Sequence, residues 1–147
     1  VKRQVIGVFD KKWMKPFAEA LKDNGVIHAF IVNSEDGMDE ISPFAKTNVV
    51  ELKDTIIKEF IIDPKTLGID TANKENLKGK NAEYNSEKII EIFKGKNNEF
   101  SQSVALNVAA GLIVSSKESD FKMSYEKAMK HLNSGQVFHH LTKIQLN

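Results

Sequence analysis

The stretch Glu35-Asp36-Gly37-Met38-Asp39-Glu40-Ile41-Ser42 packs four carboxylates and a glycine into the turn that follows the apolar run from Ile27 to Val32. No other part of the chain has residue types and spacing that suggest chemistry so directly. Gly37 can take the positive φ that a sharp reversal demands, leaving Asp39 and Glu40 as adjacent carboxylates able to aim oxygens at one small volume. Two bare carboxylates that close repel each other, and a proton, a cationic side chain or a metal ion relieves the repulsion. Magnesium suits them, because Mg²⁺ prefers hard oxygen ligands, keeps several waters and is usually held by one or two carboxylates together with substrate phosphates. An acidic turn can also be merely solvated. A position just beyond a buried strand favours function.

The elements that position this turn follow from the apolar patterning. Ile27, Ala29, Phe30, Ile31 and Val32 read as a strand buried on both faces, of the kind found in the middle of a parallel sheet. Open α/β sheets bind ligands in the crevice beyond the carboxyl ends of their strands, where the turn lies. Upstream, residues 4–9 read as another buried strand and Asp10 as the N-cap of a helix over residues 11–24. That helix carries Trp13, Phe17, Ala20 and Leu21 at helical spacing, tolerates Pro16 near its start, and ends at Gly25. Strand, helix and strand with short connections make a right-handed crossover in a parallel sheet.

Past Pro43, residues 48–52 and 56–62 are β-rich runs about three residues apart, the pattern of an antiparallel hairpin. Asp63 and Pro64 begin a capped helical turn that Gly68 stops. Residues 70–80, crowded with Asn, Lys and Thr, read as a surface connection. Helices follow over residues 82–94 and 99–115, the second apolar on most faces (Val104, Leu106, Val108, Ala109, Leu112, Ile113) and so expected in a core. Met123, Tyr125, Ala128, Met129 and Leu132 stripe another helix, and Val137, Phe138, Leu141 and Ile144 a last one after Gly135. The fold class expected is α/β: a partly parallel sheet with flanking helices, a strand hairpin in the middle and a helical C-terminal half.

The run Asp36-Gly37-Met38-Asp39-Glu40-Ile41-Ser42 closely resembles the signature loop of the anthranilate phosphoribosyltransferases, whose Gly-Leu/Met-Asp-Glu sequence supplies the carboxylates that hold Mg²⁺. The resemblance extends through Gly7-Val8-Phe9, Val50-Glu51-Leu52, Asn81-Ala82-Glu83 and the run from Val104 to Leu112 with Asn107. It implies transfer of a phosphoribosyl group from phosphoribosyl pyrophosphate to the amine of anthranilate, a step of tryptophan biosynthesis, on a nucleoside phosphorylase/phosphoribosyltransferase-like α/β domain. By that likeness one metal lies on the pyrophosphate of the donor and another between Asp39 and Glu40. The cations offset the charge that develops as pyrophosphate leaves.

Members of that family are about twice this long, so residues 1–147 are expected to form one domain's worth of chain, the C-terminal portion of the large α/β domain of a longer enzyme. Val1 is not an initiator methionine, and an apolar strand begins almost at once. In the family, the glycine-rich loop that grips the donor and the Lys-His-Gly segment near anthranilate come earlier in the polypeptide. No Gly-rich phosphate cradle occurs here, and the chain alone is expected to be inactive. Dimerisation, by the same likeness, runs through the amino-terminal helices that this chain lacks. No catalytic residue is assigned within it, and its substrate-binding residues stay open.

Several positions carry two readings. Asp36 is a turn former or a support for the acidic pair, the turn former being favoured. Ser42 and Thr47 read as satisfied turn hydroxyls. Asn33 stands where the family commonly has His, and Ser101-Gln102 where it often has Arg-Asp, so an ion pair is missing there. Asn107, amid an apolar helix, is a core amide or a site residue, with the core reading favoured. The four histidines (His28, His131, His139, His140) lie on different elements or helix faces and form no ligand set. They read as solvated or core-edge residues.

Composition sets further bounds. A net charge of +1 gives no electrostatic case for nucleic acid or an anionic membrane. With no cysteine there is neither a disulfide framework nor a thiolate metal site. No apolar run approaches membrane-spanning length and the start is no signal peptide, so a cytoplasmic location is expected. Two other classes compete. A nucleic-acid-binding relative of the same fold calls for a basic stripe, and a pyrimidine-nucleoside phosphorylase uses free phosphate and has no need of the acidic pair.

Overall fold

A computed structural model of the protein describes residues 1–70 and 74–145. A four-stranded sheet runs β1 (Arg3–Gly7), β2 (His28–Ser34), β3 (Thr47–Lys53) and β4 (Ile56–Ile62), in that spatial order. β1 and β2 are parallel, and the two later pairings are antiparallel. The expectation of a partly parallel sheet with flanking helices therefore holds. β2, however, is not inside a parallel sheet: one neighbour is parallel and the other antiparallel. All seven of its residues are buried all the same, because helices cover both faces.

α1 (Met14–Asp23) lies on one face and α3 (Glu99–Val114) on the other. Beneath α1 a core of Val8, Met14, Ala18, Ala29, Ile31 and Leu52 closes. Phe30, Val32, Val49, Leu106, Ala109 and Leu132 are among those closing the core on the α3 side. The two sets alternate along β2, as the period of two requires. α2 (Ala82–Phe93), α4 (Phe121–Asn133) and α5 (Gln136–Gln145) complete the C-terminal half, with α4 packed closely on α3.

Local signals perform as read. Asp10 accepts from Lys12 N at 3.0 Å and starts a 3₁₀ turn, Lys11–Trp13, that leads into α1. Asp63 caps Pro64–Leu67, accepting from Lys65 N, and Gly68 ends it in the left-handed region. The hairpin closes through Asp54 and Thr55, both at positive φ (47° and 69°), the twist that a two-residue hairpin turn needs. Of the expected surface connection, residues 71–73 lie outside the described residues, and Lys74–Leu77 form a short 3₁₀ turn.

Several burial assignments differ from expectation: Ile27 and Val108 are exposed and His28 is enclosed. β1 is only half-buried and ends at Gly7, and Phe9 is 79% exposed, because β1 has a sheet neighbour on one side only. α1 buries Met14 and Ala18, not Trp13 and Phe17. Two apolar stripes compete on this helix, and the one with the small Ala18 lets the helix axis approach the sheet. On α4, Tyr125, Ala128 and Leu132 are buried as read, but Met123 stands in solvent.

Candidate functional site

The acidic turn leaves the carboxyl end of β2 and folds over the end of β1. Gly37 adopts φ +88° and its amide donates to Ser34 O at 3.0 Å. Ser34 N donates to Met38 O, and Glu35 N to Lys46 O, both at 2.9 Å, so the loop is closed at its base. Asp36 is the turn former that the sequence favours. Its Oδ1 accepts from Met38 N at 3.3 Å and its Oδ2 from Ser42 Oγ at 2.9 Å. Lys74 Nζ lies 3.4 Å from the same Oδ2 and donates to Asp36 O at 2.6 Å.

Hydroxyls hold the far limb of the loop. Ser34 Oγ donates to Glu40 O at 2.6 Å and accepts from Ser42 N at 3.2 Å, while Thr47 Oγ1, 2.6 Å away, also accepts from Ser42 N at 3.2 Å. With its single proton on Glu40 O, Ser34 Oγ leaves Thr47 to donate across the hydroxyl pair. Ser42 and Thr47 are thus satisfied hydroxyls, as expected, and both are fully buried. Asn33 ties the loop's root to the neighbouring strand, its Nδ2 donating to Val8 O at 2.8 Å. In this way an amide at that position can orient the loop without an imidazole.

Gly7 is required here for space and not for φ. A Cβ at Gly7 would sit 1.8 Å from Asp39 O and 2.7 Å from Asp39 C. The loop backbone therefore rests directly on the end of β1, an approach that no side chain permits. The sequence offers Gly7 only as part of a resemblance; its neighbour across the fold is 32 positions away along the chain.

Asp39 and Glu40 are both exposed, and their carboxyls lie near enough to interact. Partial desolvation, the neighbouring Asp39 carboxyl and the charge of Asp36 together hold the Glu40 carboxyl above its ordinary value. Among the described residues every ion pair engages other carboxylates. No lysine or arginine among the described residues therefore pairs with Asp39 or Glu40. A carboxyl raised in the folded state costs nothing while it is protonated in both states, and costs stability as pH rises from its unfolded value through its folded one. Glu40 therefore contributes a destabilising slope as pH rises across that range, opposite in sign to that of the lowered Asp10, Glu91 and Glu99 carboxyls, and Glu40→Gln is expected to remove it. An unchanged slope in Glu40→Gln would contradict the assignment.

No group of three or more His, Cys, Asp or Glu residues is arranged to hold a metal among the described residues. The pair fits a hard divalent cation that takes its remaining ligands from water and phosphate, and does not form an all-protein cage. The histidines contribute nothing to it. His28 is buried, with Nε2 2.8 Å from Glu51 Oε1 and Nδ1 unpartnered; His131, His139 and His140 are exposed on helices. Ser101, where the resembling family often has Arg, completes a capping box with Asn98. A cavity of about 670 Å³ between the start of α1 and β3–β4 is remote in character from this chemistry. Its three lysines are engaged by Asn48, Asp10 and Glu59.

Comparison with known proteins now decides the family. The family model described as "Glycosyl transferase family, a/b domain" matches residues 1–138. The chain belongs to this glycosyl transferase family. Among relatives of this glycosyl transferase domain, an anthranilate phosphoribosyltransferase of Pelagibacter ubique (strain HTCC1062) is 54% identical over 145 residues, 99% of this chain and 44% of that protein. The Azospirillum brasilense protein of that name is 40% identical over 146 residues, 97% of this chain and 41% of its own length. The crystal structure of anthranilate phosphoribosyltransferase from Thermus thermophilus superposes with a TM-score of 0.81 at 29% identity, over 93% of this chain and 40% of that one. A Saccharomyces cerevisiae enzyme of the same name, described in complex with PRPP and Mg, shares the fold with a TM-score of 0.81 at 24% identity, over 95% of this chain and 41% of its own.

The resemblance read from the acidic loop thus holds, and the chain spans less than half the length of the relatives it matches. No helix among the described residues is long and apolar enough to cross a membrane.

Proposed function

We propose that this chain carries the divalent-cation loop of an anthranilate phosphoribosyltransferase, with Asp39 and Glu40 as the ligands of Mg²⁺. The observation that carries the reading is the convergence of these two carboxylates, without a cationic partner, beyond the carboxyl ends of the parallel strands β1 and β2. The name and 54% identity of the Pelagibacter ubique relative support the substrate pair, phosphoribosyl pyrophosphate and anthranilate. When bound, the cation supplies positive charge against the pyrophosphate oxygens as that group leaves. The chain's own part is to hold two oxygens at one point, keep Asp36 bound within the turn, and present the pair to solvent where a phosphorylated substrate can reach it.

In this reading residues 1–147 form a single unit, the C-terminal portion of a larger α/β domain, and the grips on donor and acceptor lie elsewhere in a longer, cytoplasmic, dimeric enzyme that binds neither nucleic acid nor membrane. Titration of the chain with Mn²⁺ in the presence of inorganic pyrophosphate, followed by electron paramagnetic resonance, tests the loop. Asp39→Asn and Glu40→Gln are each expected to weaken binding at least about tenfold, or about 1.4 kcal/mol. The unaltered chain is expected to leave the fluorescence of anthranilate unchanged when mixed with the phosphoribosyl donor. Equal Mn²⁺ binding by all three proteins would overturn the metal assignment, and donor-dependent loss of anthranilate would overturn the division of labour.

A further inference from the structure

We propose that Asn107 is a positioning residue for the acidic pair, reaching from α3 to set the backbone on which Glu40 is mounted. The inference rests on the metal reading above and adds to it a residue 66 positions away along the chain.

The geometry is that of a clamp. Asn107 Oδ1 accepts from Ile41 N at 3.1 Å, and Asn107 Nδ2 donates to Ile41 O at 3.1 Å. Nδ2 also donates to Ser103 O at 2.9 Å, so both amide protons are used. The bond to Ser103, one turn back on the same helix, is the ordinary way a helical asparagine satisfies itself. The pair of bonds to Ile41 is something more, because it engages both backbone groups of one loop residue, as a rung of a sheet would.

Those two bonds act on the two peptide planes that flank Ile41. In the Glu40–Ile41 peptide the N–H is held by Asn107 and the carbonyl by Ser34 Oγ at 2.6 Å. In the Ile41–Ser42 peptide the carbonyl is held by Asn107 and the N–H by Ser34 Oγ and Thr47 Oγ1, each at 3.2 Å. Each plane is therefore gripped from opposite edges, by an amide on the helix side and by hydroxyls on the sheet side. Ile41 itself is fully buried, which removes the remaining freedom of the segment. A peptide plane that cannot rotate fixes the Cα–Cβ direction of Glu40, and with it the point at which its carboxyl meets that of Asp39.

Neither core packing nor helix stability calls for this arrangement. A leucine at 107 would keep the volume and remove an amide from an otherwise apolar helix, leaving the Ile41 groups without their partner. Asn107→Leu is expected to weaken Mn²⁺ binding in pyrophosphate about tenfold, the effect typical of a residue that orients a ligand from behind. Leu106→Ala, next to it and fully buried, is the control: it lowers the unfolding temperature and leaves the affinity of the folded protein unchanged. Hydrogen exchange at Ile41 N–H, read by NMR, is expected to accelerate in Asn107→Leu and not in Leu106→Ala. Wild-type affinity in Asn107→Leu, or equal weakening in both variants, overturns the proposal while the metal reading stands. A native chain that binds no Mn²⁺ overturns the metal reading and the proposal with it.

Discussion

Gly7→Ala is expected to destabilise the protein by about 2–3 kcal/mol, the upper part of the range for forcing atoms into a packed site. The added Cβ would lie 1.8 Å from the carbonyl oxygen of Asp39, and that oxygen belongs to backbone, which cannot swing aside as a side chain would. The loop has to lift bodily. It is tied by Ser34 and Thr47 on the strands and by Asn107 on α3, so lifting it strains or breaks those bonds. Mn²⁺ binding is expected to fall by more than about tenfold, since displacement by an ångström is ample to spoil a pre-set geometry. Gly37→Ala gives the contrast: its φ of +88° disfavours a side chain, but no atom lies within 4 Å of the added carbon. A loss of only about 1–2 kcal/mol is expected there, from left-handed strain alone. Urea titrations with equal m-values measure both. Should Gly7→Ala prove no more costly than Gly37→Ala, the loop does not rest on β1 in the way described.

Phe30→Ala is expected to have the largest effect on stability, about 3–5 kcal/mol, a large share of the margin that holds a small domain together. Phe30 is 2% exposed on β2 and meets two rings edge-on, His28 at 5.7 Å and Phe60 at 5.6 Å. Its removal leaves a cavity on the α3 face and strips the cover from His28, whose Nε2 bonds Glu51 at 2.8 Å. Phe60 then loses its backing on β4, an edge strand that already exposes Ile56 and Ile61. Faster aggregation on heating is expected to accompany the lowered unfolding midpoint. A cost below about 1 kcal/mol would mean that the sheet is not packed against α3 at this point.

The legible parts of the molecule share one property: their causes lie within a few residues. Asp10 and Asp63 cap turns that begin beside them. Asp54 and Thr55 close a hairpin whose strands flank them directly. Gly37 bends its own loop, and Asp36 accepts bonds from Met38 and Ser42, two and six positions on. The buried stripe of α1 is not legible in this way. Trp13 and Phe17 are larger and more apolar than Met14 and Ala18, and hydrophobicity along a helix does not say which of two stripes a sheet accepts. In β1 the apolar Val5 and Ile6 point to burial, although an edge position leaves such a strand half in solvent.

By itself, then, the sequence determined the acidic turn, the two strands that bring it to a sheet mouth, the hairpin and the helical second half, since each is written in local spacing and turn chemistry. Only the tertiary structure decided that Gly7 must be bare, that Asn107 grips Ile41 and that His28 is enclosed with Glu51. Those facts depend on backbone segments far apart in the chain coming within bonding distance. The energy of such contacts lies in geometry that no window of neighbouring residues contains.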